Sequence, residues 1–158
     1  MLDKKKFYIN GKWVSPFKPN DFEVINPSNE KPFAIISLGT KEDTDTAVNA
    51  AKKAFKEWKE TSKEQRINLL EKLLKIYKKK FNEMALAIST EMGAPIDWAT
   101  SVQAASGQSH LEDFILRLKN FKFENKFDVN SNNLISYEPI GVCGLITPWN
   151  WPINQIAL

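Results

Sequence analysis

Glu138-Pro-Ile-Gly-Val-Cys-Gly-Leu-Ile-Thr-Pro-Trp-Asn-Trp-Pro152 reads in two halves. Residues 140–147 are apolar and dotted with small side chains, the pattern of a short buried strand. Gly141 and Gly144 weaken a strand in water, so they point to another backbone or a ligand lying close. Pro148 and Pro152 then stop regular pairing and bracket Trp149, Asn150 and Trp151. Beyond them, Ile153-Asn-Gln-Ile-Ala-Leu158 is apolar at helical spacing. A strand, a stiff turn carrying one amide, and a helix start together make a common ligand site in an open α/β sheet. A rigid strand-to-helix turn with packed tryptophans fits the same residues.

Working outward, 158 residues are enough for one domain with a core. A net charge of +3 is small, and the lysines alternate with acids along helices. That pattern gives solvated faces and argues against a nucleic-acid partner. The single cysteine excludes an internal disulfide and suits a reducing compartment. The basic start, Met1-Leu-Asp-Lys-Lys-Lys, is followed by no apolar run of signal-peptide length. No stretch approaches the ~20 apolar residues of a membrane span. A cytoplasmic protein is expected.

Phe7-Tyr-Ile-Asn-Gly-Lys-Trp-Val14 reads as two short strands around an Asn-Gly turn. Residues 22–25 and 34–38 are further extended pieces, separated by the turn Asn26-Pro-Ser-Asn29, so one antiparallel meander is expected. A first helix over 40–61 has Thr40 or Thr44 as its cap, and Val48, Ala51, Phe55 and Trp58 as its apolar stripe. Ser62-Lys-Glu-Gln65 matches a capping box. It opens one long helix striped by Ile67, Leu70, Leu74, Tyr77, Phe81, Met84 and Ile88 and ended by Gly93 and Pro95. Lys78-Lys-Lys80 reads as its solvated face. A third helix is expected over 96–118, with Ala99, Val102, Ala105, Leu111, Phe114, Ile115 and Leu118 inward and Gly107 as a weak point. Phe121, Phe123, Phe127 and Val129 then alternate with polar residues, Asn-rich residues follow, and 134–138 is extended again. Taken bare, this is a hairpin.

The Pro-Trp-Asn run resembles a block of the NAD(P)-dependent aldehyde dehydrogenase superfamily. Phe7-Tyr-Ile-Asn-Gly-Lys-Trp-Val14, Val24-Ile-Asn-Pro-Ser28 and Glu91-Met-Gly-Ala-Pro95 fall in that family's order. The resemblance runs through nearly the whole chain and covers about the first third of a full member. It implies an α/β fold, the N-terminal part of the family's. That fold comprises antiparallel N-terminal strands, three helices, a β-arm and the first strand of a doubly wound cofactor sheet. Residues 1–120 would begin the cofactor domain, 121–140 would form an oligomerisation arm reaching a neighbouring subunit, and 141–158 would return to the cofactor domain. It further implies NAD or NADP as cofactor, a small-molecule aldehyde as substrate, and a homo-oligomer, dimer or tetramer, as the complete protein.

Asn150 is the leading candidate for chemistry. A side-chain amide offers two donors and no proton to lose. Held between prolines, it could stabilise charge developing on an oxygen. In the resembled family this Asn donates to the carbonyl oxygen as a cysteine thiolate attacks the aldehyde. Hydride then passes to the nicotinamide, and water activated by a glutamate releases the acid. By the same resemblance Ile146, Thr147, Pro148, Trp149 and Asn150 line the cofactor cleft near the nicotinamide ribose. Thr147 stands where many members have an aliphatic residue.

Cys143 is set aside as nucleophile. It sits in an apolar strand without a nearby base, where a thiol is buried and inert. It is also seven residues from Asn150, up to ~23 Å at ~3.3 Å per residue. The family's nucleophile, its general-base glutamate and its later cofactor block would all lie past Leu158. His110, the only histidine, has no partner at a useful spacing and reads as a helix-surface residue. Relatives bind a monovalent cation through an acid at the Glu91 position and backbone carbonyls near the Val24-Ile25 position. A hard cation takes such oxygen ligands, and a helix-end acid without an ion is the alternative. The chain therefore reads as an N-terminal piece of an aldehyde-oxidising enzyme, inactive alone. A non-catalytic oligomerisation piece and a semialdehyde or CoA-acylating relative are the rivals.

Overall fold

The structure, a computed structural model, describes residues 1–129 and 132–158. Its first strands are β1 (Leu2–Asp3), β2 (Phe7–Ile9), β3 (Lys12–Val14), β4 (Asp21–Asn26) and β5 (Lys31–Ser37). The Asn-Gly hairpin forms as its residues require. Phe7 faces Val14 across the β2–β3 pair. Asn10 and Gly11 have φ of 52° and 75°, the sign a type I′ turn needs at both central positions.

The single meander is corrected. β2 and β3 form their own sheet, while β4 and β5 pair antiparallel in a second sheet of order β1-β5-β4. The break lies at Ser15-Pro-Phe-Lys-Pro-Asn20, where two prolines remove ladder donors. The Phe17 N–H there donates to the Asp43 carboxylate at 2.8 Å instead of to a strand. β1, from the lysine-rich start, pairs parallel with β5 and was not foreseen.

Helix α1 (Lys41–Trp58) begins at Thr40, whose hydroxyl accepts from the Asp43 N–H while the Asp43 carboxylate accepts from the Thr40 N–H. Ala51 and Phe55 are half-buried on its inner face; Val48 and Trp58 are exposed. The backbone N–H groups of Thr40 and Phe17 hold the Asp43 carboxyl below its ordinary value of 3.8. A carboxyl lowered by folding stabilises the fold above its unfolded pKa, and that contribution is lost as pH falls through the folded value. Thermal melts of wild type and Asp43→Asn should therefore differ at neutral pH and converge as pH falls through the lowered folded pKa. Curves separated equally at every pH would remove the charge from this account.

Ser62 forms the expected capping box with Gln65 and starts α2 (Lys63–Lys79). The one long helix is corrected to two, α2 and α3 (Phe81–Met92), broken at Lys80 with φ −103° and ψ 14°. Its N–H is shared by the carbonyls of Ile76 and Tyr77, so the last turn tightens and the axis bends. The bend continues the apolar stripe: Tyr77 packs edge-on against Phe81, and Ile88 lies buried beyond. Lys78 of the basic run pairs with Glu112 at 2.6 Å.

The third helix is also more complex than expected. It comprises α4 (Ile96–Trp98), a π-helical stretch at Ala99–Ala104, and α5 (Ala105–Asn120). The expected inward residues Ala99, Leu111, Ile115 and Leu118 are buried, whereas Phe114 is exposed. Gly107 is no weakness. It is a point of close approach, where an added Cβ would lie 2.6 Å from Ile153 Cγ1 and 2.9 Å from Tyr77 Oη.

Then β6 (Glu124–Lys126) and β7 (Leu134–Ser136) pair antiparallel as the expected hairpin. Its Asn-rich turn falls partly outside the described residues, at 130 and 131. Residues 140–147 are corrected most. They form no strand among the described residues, and Ile140 and Ile146 are 93% and 99% exposed. An apolar segment becomes a buried parallel strand only between neighbours that satisfy its backbone and cover its faces, and none of the described strands lies beside it. The chain re-enters the packed part through α6 (Pro152–Ala157). The core, built from Ala85, Ile88, Ala94, Ala99 and Ala104 with Phe81, Met84, Met92 and Ile153 around it, joins α3, the π-helical stretch and α6. Small side chains let these backbones approach closely.

Candidate active-site turn

Four contacts hold the turn between the two prolines and the start of α6 behind it. Gln103, 1% exposed and carried by the π-helical stretch, donates from Nε2 to the backbone carbonyl of Asn150 at 3.4 Å. Trp151 packs edge-on against Trp98 of α4, with centroids 5.4 Å apart. One turn further on, His110 Nε2–H donates to Asn154 Oδ1 at 2.7 Å. Ile153 closes the set by seating on Gly107. Pro152 suits the first position of α6, where a backbone N–H has no helical partner.

Asn150 itself stays exposed. Its backbone is fixed from beneath while its amide has access to the surface, which suits a donor aimed at a group outside this chain. Thr147 and Pro148 are likewise exposed, Trp149 is 78% exposed and Ile146 99%. Ile146, Thr147, Pro148, Trp149 and Asn150 thus form one open shelf, not the inner face of a paired strand. Apolar surface beside a hydroxyl and a primary amide is a set of groups that fits a planar ring with polar edges.

Cys143 is corrected from buried to exposed, because no described strand covers the segment carrying it. His110 is corrected from a partnerless surface residue to a half-buried one that holds α6. Glu91 is exposed in the last turn of α3, and Ile25 is 45% exposed on β4. The two elements pack together: Gly93, at φ 76° beyond the helix end, sits so close to Pro27 that an added Cβ would lie 2.8 Å from its Cγ. The structure therefore brings the two expected cation ligands' elements side by side. Among the described residues no group of three or more His, Cys, Asp or Glu side chains could hold a metal, so any ion here would depend on carbonyl oxygens. Sequence reasoning missed Gln103, Trp98 and Asn154. Gln103 had a signal, an amide four residues after Ala99 on an otherwise small, apolar face.

The model of the aldehyde dehydrogenase family matches residues 13–158. A 3-succinoylsemialdehyde-pyridine dehydrogenase from a Pseudomonas species is 47% identical over 158 residues, covering 99% of this chain and 32% of that protein. An aldehyde dehydrogenase from Bartonella henselae has a similar structure with a TM-score of 0.97 at 51% identity, over 99% of this chain and 33% of that one. Aldehyde dehydrogenase C from Pseudomonas syringae, a mutant crystallised with NAD+ and octanal, gives a TM-score of 0.92 at 39% identity, over 97% and 31%. The chain spans about a third of the length of the relatives it matches.

Proposed function

The chain belongs to the aldehyde dehydrogenase family, and from that premise we propose that it supplies the N-terminal third of an oxidoreductase that converts an aldehyde to a carboxylic acid with NAD or NADP. The observation that carries the proposal is the pinned turn, in which Asn150 is exposed over a backbone carbonyl held by buried Gln103. Asn150 donates from its amide to the aldehyde oxygen as negative charge gathers there. The shelf of Ile146, Thr147, Pro148 and Trp149 takes the nicotinamide end of the dinucleotide, whose chemistry when bound is hydride acceptance. The crystals of the Pseudomonas syringae relative held NAD+ and octanal, which supports a nicotinamide cofactor and an aldehyde as the ligand classes.

The attacking thiolate and the general base are assigned to residues outside these 158. Cys143 is exposed and lies seven residues before Asn150 in the chain. Within the aldehydes, a semialdehyde is favoured by the name of the Pseudomonas relative. A cytoplasmic enzyme fits the single cysteine. The test is an assay of the full-length enzyme with aldehydes and semialdehydes, NAD+ and NADP+, following reduced nicotinamide. Turnover is expected from the full-length enzyme and none from the 158-residue chain. Absence of turnover with every pair would overturn the proposal.

Residues 1–120 and 141–158 are assigned to the cofactor domain, and 121–140 to an arm that joins a second subunit in a dimer or tetramer. The hairpin exposes Ile135 at 41% on β7 and, beyond the end of β6, Phe127 at 67% and Val129 at 90%, and its two strands have open edges. The isolated chain is therefore expected to self-associate in sedimentation velocity as concentration rises. A stable monomer throughout would count against the arm. Glu91 and the Ile25 carbonyl are proposed to hold a monovalent cation. Glu91→Ala in the full-length enzyme should then abolish any rise in melting temperature on adding sodium or potassium. An equal rise in mutant and wild type would eliminate the site.

A further inference from the structure

We propose that Gln103 is a positioning residue for Asn150, a role that rests on the oxyanion function assigned to Asn150 above. Three observations converge on it. Gln103 is 1% exposed, and burying a primary amide is costly unless its hydrogen bonds are made. Its Nε2 spans 47 positions of sequence to the Asn150 carbonyl at 3.4 Å, with Met92 Sδ at 3.6 Å as its other neighbour. Its Oε1 is buried with no hydrogen-bond partner among the described residues.

A side chain chosen only to fill this alanine-lined core would not carry an orphaned acceptor, since an apolar residue of equal volume fills the space without that cost. The amide is retained for its donor, and that donor goes to the backbone of the turn. The helix supports the same conclusion. Gln103 lies in the π-helical stretch Ala99–Ala104, a rare irregularity that is frequent at functional sites. The Tyr77 hydroxyl braces this stretch by donating to the Ala104 carbonyl at 2.7 Å. Gln103 therefore projects from a fixed base. It has no path to a substrate and acts only through where it holds the Asn150 backbone, and hence where the Asn150 amide can point.

The test is a double-mutant cycle in the full-length enzyme. Gln103→Met conserves volume and removes the donor together with the orphaned acceptor, so the melting temperature should change little. In wild type it should lower kcat at least about tenfold, since small misplacements of a reacting group are costly, while KM for NAD+ stays unchanged. In an Asn150→Ala background it should lower kcat no further. Equal losses in both backgrounds, or no loss in wild type while Asn150→Ala is slow, would overturn the role of Gln103 and leave that of Asn150 standing. Full activity of Asn150→Ala would instead remove the reading beneath it, and the role of Gln103 with it.

Gln103→Glu gives a second readout that does not depend on the Met variant folding. Burial keeps its carboxyl protonated, and the protonated form can donate to the Asn150 carbonyl as the amide does. Its kcat should approach wild type at low pH and fall as pH rises through the raised pKa, relative to a wild-type profile without that step. A flat ratio across pH would count against positioning.

Discussion

Replacing Asn150 by alanine in the full-length enzyme is expected to lower kcat by about 10²–10³, equivalent to ~3–4 kcal/mol, with cofactor affinity nearly unchanged. The fold should survive. Asn150 is exposed, and the anchor beneath it is its backbone carbonyl, which alanine keeps in place for Gln103. Trp98 and Trp151 still pack, and His110 still holds Asn154. In the role proposed for Asn150, what is lost is a donor that becomes important as charge develops on the aldehyde oxygen, so the loss belongs in kcat more than in KM. The measurement is steady-state turnover beside titration of NAD+ or NADP+ into both proteins. Turnover retained within a few-fold would make Asn150 a turn residue only. Collapse of cofactor binding with fast single-turnover chemistry would make it a wall of the cleft.

Local chemistry was the most legible layer of this sequence. The Asn10-Gly11 turn and the caps at Thr40 and Ser62 are decided by residues within four positions of each other, and each formed as its side chains dictate. The break at Lys80 was hidden because Tyr77, Phe81, Met84 and Ile88 keep helical spacing straight through it. Only the tertiary demand of the alanine core reveals a bend there. Residues 140–147 show the opposite limit: their composition suggested a strand that does not form, because a strand is a relation between segments, and the described residues provide no neighbour. The candidate turn showed in its two prolines and its single amide. Its supports were not, because Trp98, Gln103 and His110 lie 40 or more positions upstream and meet the turn only after α4, the π-helical stretch and α5 have formed.

That dependence yields the second large effect, at Gly107, which never touches the proposed chemistry. Gly107→Val is expected to destabilise the protein by about 3 kcal/mol, at the upper end for an overpacked site, and to reduce kcat at least about tenfold. Glycine inside a helix ordinarily costs up to ~1 kcal/mol relative to alanine, so any larger residue starts with a small gain. Sterics outweigh it here. A Cβ at 107 meets Ile153 Cγ1 at 2.6 Å and Cγ2 at 3.3 Å, and Tyr77 Oη at 2.9 Å. Neither neighbour can yield cheaply. Tyr77 is buried and its hydroxyl is engaged with the Ala104 carbonyl. The Ile153 atoms lie next to its own Cβ, so relieving the contact requires α6 itself to move. α6 begins two residues after Asn150, and its displacement drags the turn against the Gln103 anchor. Gly107→Ala should fall between, its helix gain cancelling part of the clash. The checks are thermal or urea unfolding and kcat for all three proteins. A valine variant with unchanged stability would show that α6 is free to shift. Lost stability with unchanged kcat in the surviving folded enzyme would show that the turn keeps its geometry without α6 seated on α5.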